Sequence, residues 1–479
     1  MANLRLHRPR VSRGRPAEPG SEPGNWGSAG LALAAILAGA AALRAVGLEY
    51  GLPFATLLNP DEQSIVPRAW RMVHGGGLDP RWFDYPTLVL YVLAPFQAWV
   101  SDPSLLTARI VIVVFGLAAV AATWWLGRRA YGTVAAAVGA AAVAVATTHV
   151  TYSHMAVTDV PLTAAVGAGL ALMIAGRLEW AGLAAGLATG AKYPGVFLVF
   201  PLVAAGWGRW RRLAISIVLA VATFLATSPY VLVHPRLAWN DQSRVQRLAR
   251  DGWLGFEHDH ATPIAFVVRL WDALGPALII AGLGLVVALF TRRRADVILT
   301  VFVLAYFADL LTIRAHFDRY VLPLLPPLAV LAGRLRSLAP VTLLLLVVPL
   351  TWSIRDDIRL TRTDTRIAAG RWIVANVPHD SRVAADSSTP PLLGYPELPL
   401  QLPGPGRPTD PNRDVARLRA QGIAYVVVTG AVEDRVLAAR EHYPQEARFV
   451  EQLRRSARRL YYVSAGHGLT GPWVAVYRL

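Results

Sequence analysis

The chain contains no cysteine, which rules out structural disulfides and thiolate metal sites together and leaves the redox compartment open. Lysine is almost as scarce: of 47 lysine plus arginine residues, only Lys192 is a lysine. Codon bias from a GC-rich genome accounts for the arginines without any function, which makes the retained lysine a position of interest. Charged residues amount to only 16% of the chain. No glycine-rich phosphate loop follows a strand, since Gly282 and Gly284 lie within an apolar run, so a dinucleotide or nucleotide-sugar fold has no support.

What is present is apolar. Of 479 residues, 54% are hydrophobic and the mean hydropathy is +0.41, too high for one ordinary soluble fold. The excess falls in blocks of about 17 to 23 residues, the length an α-helix needs to cross a bilayer. The net charge of +16 does not point to nucleic acid, because the arginines sit in short turns between apolar blocks rather than on a soluble face. Basic turns between spans are topogenic signals.

These blocks predict an all-α polytopic membrane protein with about eleven transmembrane helices, at 31–46, 105–126, 134–150, 160–175, 180–191, 195–207, 213–231, 273–290, 297–312, 320–333 and 341–354. Residues 1–29, with Arg5, Arg8, Arg10, Arg13 and Arg15, read as a disordered basic tail on the cytoplasmic side. The segment 85–100 is apolar but short. If it crosses, the turns holding Arg128-Arg129, Arg177, Arg209, Arg292 to Arg294 and Arg334 fall on the wrong side; if it lies on the outer surface, all of them join the basic tail. It is therefore read as an interfacial helix. A transmembrane core at 30–354 is followed by a polar region at 355–479, expected to be a small extracytoplasmic α/β domain with a helix at 364–376, β runs at 423–429 and 473–477, and a Pro-rich linker at 389–411.

With this orientation the carboxylates, histidines and the lysine gather at the outer rim. Asp61 and Glu62 open the first outer loop; adjacent residues point about 100° apart, so one of them faces a given site, with Asp61 as the working group and Glu62 in support. The same pair suits a helix N-terminus equally well. His154 and Asp159 flank the outer edge of the span at 160–175, where Asp159 also fits a cap before Pro161 and His154 a polar rim residue. Gly182, Gly186 and Gly190 recur every fourth residue before Lys192, a spacing that lets helices pack closely. A lysine there either snorkels or binds an anion. Arg314, His316, Arg319 and Tyr320 form an outer cationic cluster, against the positive-inside bias, and this favours an anionic partner over interfacial anchoring.

The order of Asp61-Glu62, Tyr85-Pro86 opening a surface helix, Asp159 before a span, Lys192-Tyr193 after a glycine-rich span, and Arg319-Tyr320 with Leu322-Pro323 resembles the family 39 glycosyltransferases. These are GT-C fold enzymes related to the dolichyl-phosphate-mannose protein mannosyltransferases and the bacterial aminoarabinose transferase. The likeness covers 31–333. It implies a hexosyl- or pentosyltransferase that moves a sugar from a polyprenyl-phosphate carrier to an acceptor hydroxyl at the outer membrane face, with inversion. By the same resemblance Asp61 is the base and Lys192 and Arg319 hold the donor phosphate; Tyr320 is read beside them at the phosphate, and Tyr85, His154 and Asp159 as substrate contacts. The acceptor is a lipid, glycan or protein. The aminoarabinose transferases carry a lysine where Tyr85 stands, which puts a phosphate contact from that position in question.

No metal site is read from the sequence. His154, His258, Asp259 and His260 have no diagnostic spacing, and a divalent cation cofactor is left open. The rival reading, a transporter or flippase for a lipid-linked or anionic substrate, expects ionisable residues at the bilayer midplane and repeated halves. Here they cluster at one rim with no internal repeat, Asp309 being the nearest exception.

Overall fold

The computed structural model describes residues 26–54 and 59–479; the expected basic tail lies almost entirely outside them. Each of the eleven apolar blocks is helical over most of its length. By length and composition, four helices among the described residues can cross a membrane, Gly27–Ala45, Leu105–Ala130, Trp210–Thr227 and Arg336–Leu360, and two bent pairs raise this to six. The segment expected at the surface contains the helix Leu88–Gln97, which at about 15 Å covers only half of the hydrocarbon thickness.

Small residues set the packing. A Cβ on Gly127 would meet the backbone N of Ala136 at 2.7 Å, one on Gly333 the Cα of Ala135 at 2.7 Å, and one on Gly284 the carbonyl of Leu331 at 2.1 Å. Helices approach this closely where neither brings a side chain, the usual basis of association in lipid. The glycine stripe follows the same rule. Added Cβ atoms on Gly182, Gly186 and Gly190 would strike the Ser216 carbonyl, the Ala220 carbonyl and Thr227 Oγ1 of helix Trp210–Thr227 at 2.1, 2.4 and 2.4 Å. The other side of that helix exposes Ile215, Val218 and Val221, an apolar face suited to lipid.

The block expected at 134–150 is broken into Thr133–Val145 and Thr147–Ser153, bent by 58°. Arg44, fully buried at the end of helix Trp26–Ala45, fills the break. It donates to the freed carbonyls of Val143 and Ala144 at 3.2 and 2.9 Å, to Ser153 Oγ at 3.2 Å, and shares a 2.9 Å contact with His149 Nδ1. Orphaned carbonyls in an apolar bundle need such a donor.

Beyond the core, strands in the order Glu397–Leu400, Val383–Asp386, Tyr425–Thr429, Val474–Arg478 and Arg458–Val463 form a mixed sheet. The first three are parallel and the last two join antiparallel. Val427 and Val476 face Ala369 and Ile373 of helix Thr365–Asn376, while Val426, Val428 and Ala475 face Leu418, Phe449 and Leu453. Burial on both faces explains the unbroken valine run. The region expected as a Pro-rich linker corrects that reading: it holds the edge strand Glu397–Leu400, where Pro399 is tolerated because an edge needs donors on one side only. Several contacts tie this unit to the core, among them Tyr50 Oη donating to Asp364, Tyr443 Oη donating to Glu257 and His258 Nε2 meeting the Ala438 carbonyl at 3.0 Å.

Candidate active site

Asn59 caps the helix Pro60–Arg71 by accepting from the Asp61 amide at 2.9 Å, with Pro60 as its first residue. Asp61 and Glu62 therefore occupy the first turn, as the helix-terminus reading required, and they point apart. Asp61 Oδ2 lies 2.5 Å from Arg319 Nη1 and accepts from Tyr85 Oη at 2.9 Å. Glu62 turns inward to Arg109 in a two-pronged pair at 2.8 and 2.7 Å, both side chains fully buried, and also accepts from the Ala156 amide at 2.9 Å. Arg109 completes itself on the carbonyls of Leu48 and Tyr50. Glu62 is thus a strut between the start of helix Pro60–Arg71, the helix Leu105–Ala130 and the segment before Asp159. Its carboxylate makes no contact with the Asp61 side of the helix.

Lys192 ends the helix Leu178–Ala191 in an extended conformation and is followed by the turn Tyr193–Leu198. Its ammonium lies 2.6 Å from Asp159 Oδ1 and between two rings, 5.6 Å from the Tyr85 centroid and 5.2 Å from that of Tyr320. Asp159 sits in the first turn of Asp159–Ile174, and its second oxygen has no partner. Arg319 is the second residue of the turn Asp318–Leu324, anchored by Asp318, which accepts from the Arg319 amide and from Tyr152 Oη at 2.6 Å. Its Nε is likewise buried and unpartnered.

Asp61, Tyr85, Asp159, Lys192, Arg319 and Tyr320, spread over 260 residues of sequence, are therefore linked in one chain of contacts. The residues before Tyr85 are held by His234 and by the helix Pro235–Asp251 that follows it. Asp241 accepts from the Phe83 amide at 2.9 Å, and Arg244 and His234 pair with Asp84 and Asp79 at 2.5 and 2.7 Å. Burial first, then the charge of Asp61, pushes the Tyr85 phenol well above its ordinary value, so it stays a hydrogen-bond donor.

His154 does not join them. It is buried against the Val150 carbonyl at 2.9 Å and faces Asp357 at 3.8 Å, because helix Thr147–Ser153 ends just before it. Two residues of the arrangement were not singled out from sequence: Arg109 and Tyr152. Arg109 had a signal, as a charged residue near the start of a long apolar span. No group of three His, Asp or Glu residues among those described is arranged to hold a metal; Asp259 is taken by Arg269 and His316, each at 3.1 Å.

Over residues 82–313 the chain matches the model of glycosyltransferase family 87. No curated protein sequence matches it. Among solved structures it is similar to ArnT from Cupriavidus metallidurans in the apo state, with a TM-score of 0.56 at 17% identity over 94% of this chain and 98% of that one. The same ArnT bound to undecaprenyl phosphate gives 0.52 at 16% identity over 94% and 98%. The oligosaccharyltransferase AglB from Archaeoglobus fulgidus, in complex with an inhibitory peptide and a dolichol-phosphate, gives 0.58 at 11% identity over 94% and 74%. At these identities the likeness is one of fold. Fold and family model together support a membrane glycosyltransferase of the GT-C type, the type implied by the sequence resemblance, with family 87 as the model that matches.

Proposed function

We propose that the chain transfers a sugar from a polyprenyl-phosphate carrier to an acceptor hydroxyl, with inversion, at the cluster of Asp61, Asp159, Lys192 and Arg319 on the outer membrane face, the tail before residue 30 being cytoplasmic and the sheet unit outside. One observation carries the reading: a buried cluster of two cations and two carboxylates keeps two polar atoms, Arg319 Nε and Asp159 Oδ2, without partners. Buried polar groups are almost always satisfied, so this arrangement is completed by a charged, hydroxylated ligand.

In this reading the donor phosphate lies between Lys192 and Arg319. The bond from the anomeric carbon to the phosphate oxygen breaks with its electron pair passing to the phosphate, whose growing charge the two fixed cations stabilise. As Arg319 turns to the phosphate it releases Asp61 Oδ2, which takes the acceptor's proton while the acceptor oxygen bonds the anomeric carbon from the opposite face. A single base and no intermediate carboxylate nucleophile give inversion. Tyr85 holds Asp61 in line, and Asp159 fixes the ammonium. The carriers bound in the two neighbours' structures, undecaprenyl phosphate and dolichol-phosphate, are of the carrier class this chemistry requires.

The test is turnover of undecaprenyl-phosphate-linked sugars by the purified full chain, with the product's anomeric configuration read by NMR. Asp61→Asn is expected to fold and bind undecaprenyl phosphate while losing about 100- to 10,000-fold in turnover. Near-normal turnover, or a product of retained configuration, refutes the assignment.

A further inference from the structure

A cavity of about 670 Å³ lies between the outer segment at 251–262 and the sheet unit, within the range of about 300 to 1,000 Å³ common for small-ligand sites. None of the residues in the Asp61–Lys192 cluster lines it. Trp253 and Glu257 come from the outer segment, Arg314 from the segment before Arg319, and Arg407, Tyr443 and Glu446 from the sheet unit.

Glu446 is the informative residue. It is 5% exposed, and its carboxylate makes no hydrogen bond or ion pair among the described residues. Its place in the first turn of helix Pro444–Ser456 offsets part of the cost of burying the charge but fills none of its lone pairs. Glu257, by contrast, is held by Tyr443 Oη and the Gly255 amide, and Arg407 lies 4.5 Å over the Trp253 ring. The exposed Arg314 side chain has no hydrogen bond or ion pair among the described residues.

We propose that this cavity is the acceptor subsite and takes a neutral, hydroxyl-rich glycan; this rests on the transferase reading above. Asp251, Glu257 and Glu446 set three carboxylates against the two arginines, so a phosphate finds no net cationic field and a polyprenyl chain no dry surface. Sugar hydroxyls donate to unfilled carboxylate lone pairs and accept from arginine, while the Trp253–Arg407 stack offers a flat wall. The cavity also adjoins the reaction centre. Phe317 packs edge-on against Trp253 and Phe256, with centroids 5.9 and 5.0 Å apart, while the guanidinium of Arg319 lies 5.3 Å over the same ring and Tyr320 5.6 Å away. One aromatic ring thus separates the cavity from the arginine that holds Asp61.

Because the chain has no cysteine, Gln445→Cys on the cavity wall gives a unique reporter in the full-length protein in nanodiscs. Its maleimide labelling is expected to slow in the presence of mannotriose, maltotriose or arabinotriose and to be indifferent to inorganic phosphate. Adding Glu446→Gln, which breaks no existing contact, should raise the protecting sugar concentration about tenfold, the worth of one hydrogen bond to a charged group. Undecaprenyl phosphate binding should be unchanged. Protection by phosphate instead of sugar, protection unaltered by Glu446→Gln, or no protection by any of the three sugars overturns the proposal while leaving the transferase reading intact. Loss of lysine-dependent undecaprenyl phosphate binding in the parent protein strikes that reading instead, whatever the sugars do.

Discussion

Glutamine at position 62 keeps the shape of the native side chain but puts an amide NH2 where an oxygen stood, so a donor of Arg109 meets another donor. The native carboxylate accepts from Arg109 twice, at 2.8 and 2.7 Å, and from the Ala156 amide once. With both side chains fully buried, Glu62→Gln leaves the Arg109 charge without its counter-ion, a change worth about 3 to 5 kcal/mol. That magnitude raises the unfolded or opened population by roughly a hundredfold to several thousandfold. The assay is the fraction of full chain that stays folded after graded heating in detergent, with turnover measured on the folded remainder. Glu62→Gln should lose folded protein at markedly lower temperature while its survivors keep most of their turnover. The pair Glu62→Met with Arg109→Leu, which removes both charges, should be more stable than Glu62→Gln. Wild-type heat resistance combined with a large loss of turnover would refute the strut and return Glu62 to the reacting atoms.

Lys192→Arg is expected to cut transfer by at least about tenfold although charge is kept, because a planar fork does not fit where a compact ammonium sits between two tyrosine rings and 2.6 Å from Asp159; wild-type kinetics would make the lone lysine an accident of codon usage. Ser387→Cys, on an exposed position of the sheet unit, should label from outside intact cells and Ser12→Cys only after permeabilisation; the reverse pattern overturns the topology. Glu433 is pushed up to about 7 from 4.5, first by burial and then by the charge of Asp386, with Arg454 opposing. Its folded value lies above its unfolded one, so the stability it contributes is complete below about pH 4.5 and is lost as pH rises through about 7, up to roughly 3 kcal/mol. Hydrogen-exchange protection of strand Tyr425–Thr429, corrected for intrinsic rates, should fall over that window and stay flat in Glu433→Gln; equal profiles would refute the shift.

The helical blocks were legible because lipid-facing and helix-facing positions are both apolar, leaving long runs whose ends are marked by arginine. The break at Ala146 was not legible. Neither proline nor glycine stands there, and the donor that satisfies the freed carbonyls is Arg44, about a hundred residues earlier in the chain. The edge strand Glu397–Leu400 hid behind its prolines, since a pattern that forbids a central strand also suits a linker. In the site, Asp61, Lys192 and Arg319 were legible as types and as an order, but which carboxylate of the pair faced outward depended on Arg109, whose partner no local pattern names. His154 stands five residues before Asp159, yet the end of helix Thr147–Ser153 turns it to Asp357 instead. Nearness in sequence carried no information about direction.

The contact between Gly182, Gly186 and helix Trp210–Thr227 runs against the carbonyls of Ser216 and Ala220, and Gly190 meets the short Thr227 side chain, so little in it can yield. Lys192 is the next residue but one after the last glycine, so its distance from Asp159 and Arg319 is set by how deeply two helices seat, as a tool is set by the fixture that clamps it. A methyl group added at Gly186 must push one helix away from the other, and the displacement reaches the ammonium with little loss. Since a misplacement of about 1 Å can cost on the order of a hundredfold in rate, substitutions well inside an apolar span, touching no substrate, are expected to behave as active-site lesions. Inheritance of activity in such a chain constrains the absence of side chains as strictly as the presence of charged ones.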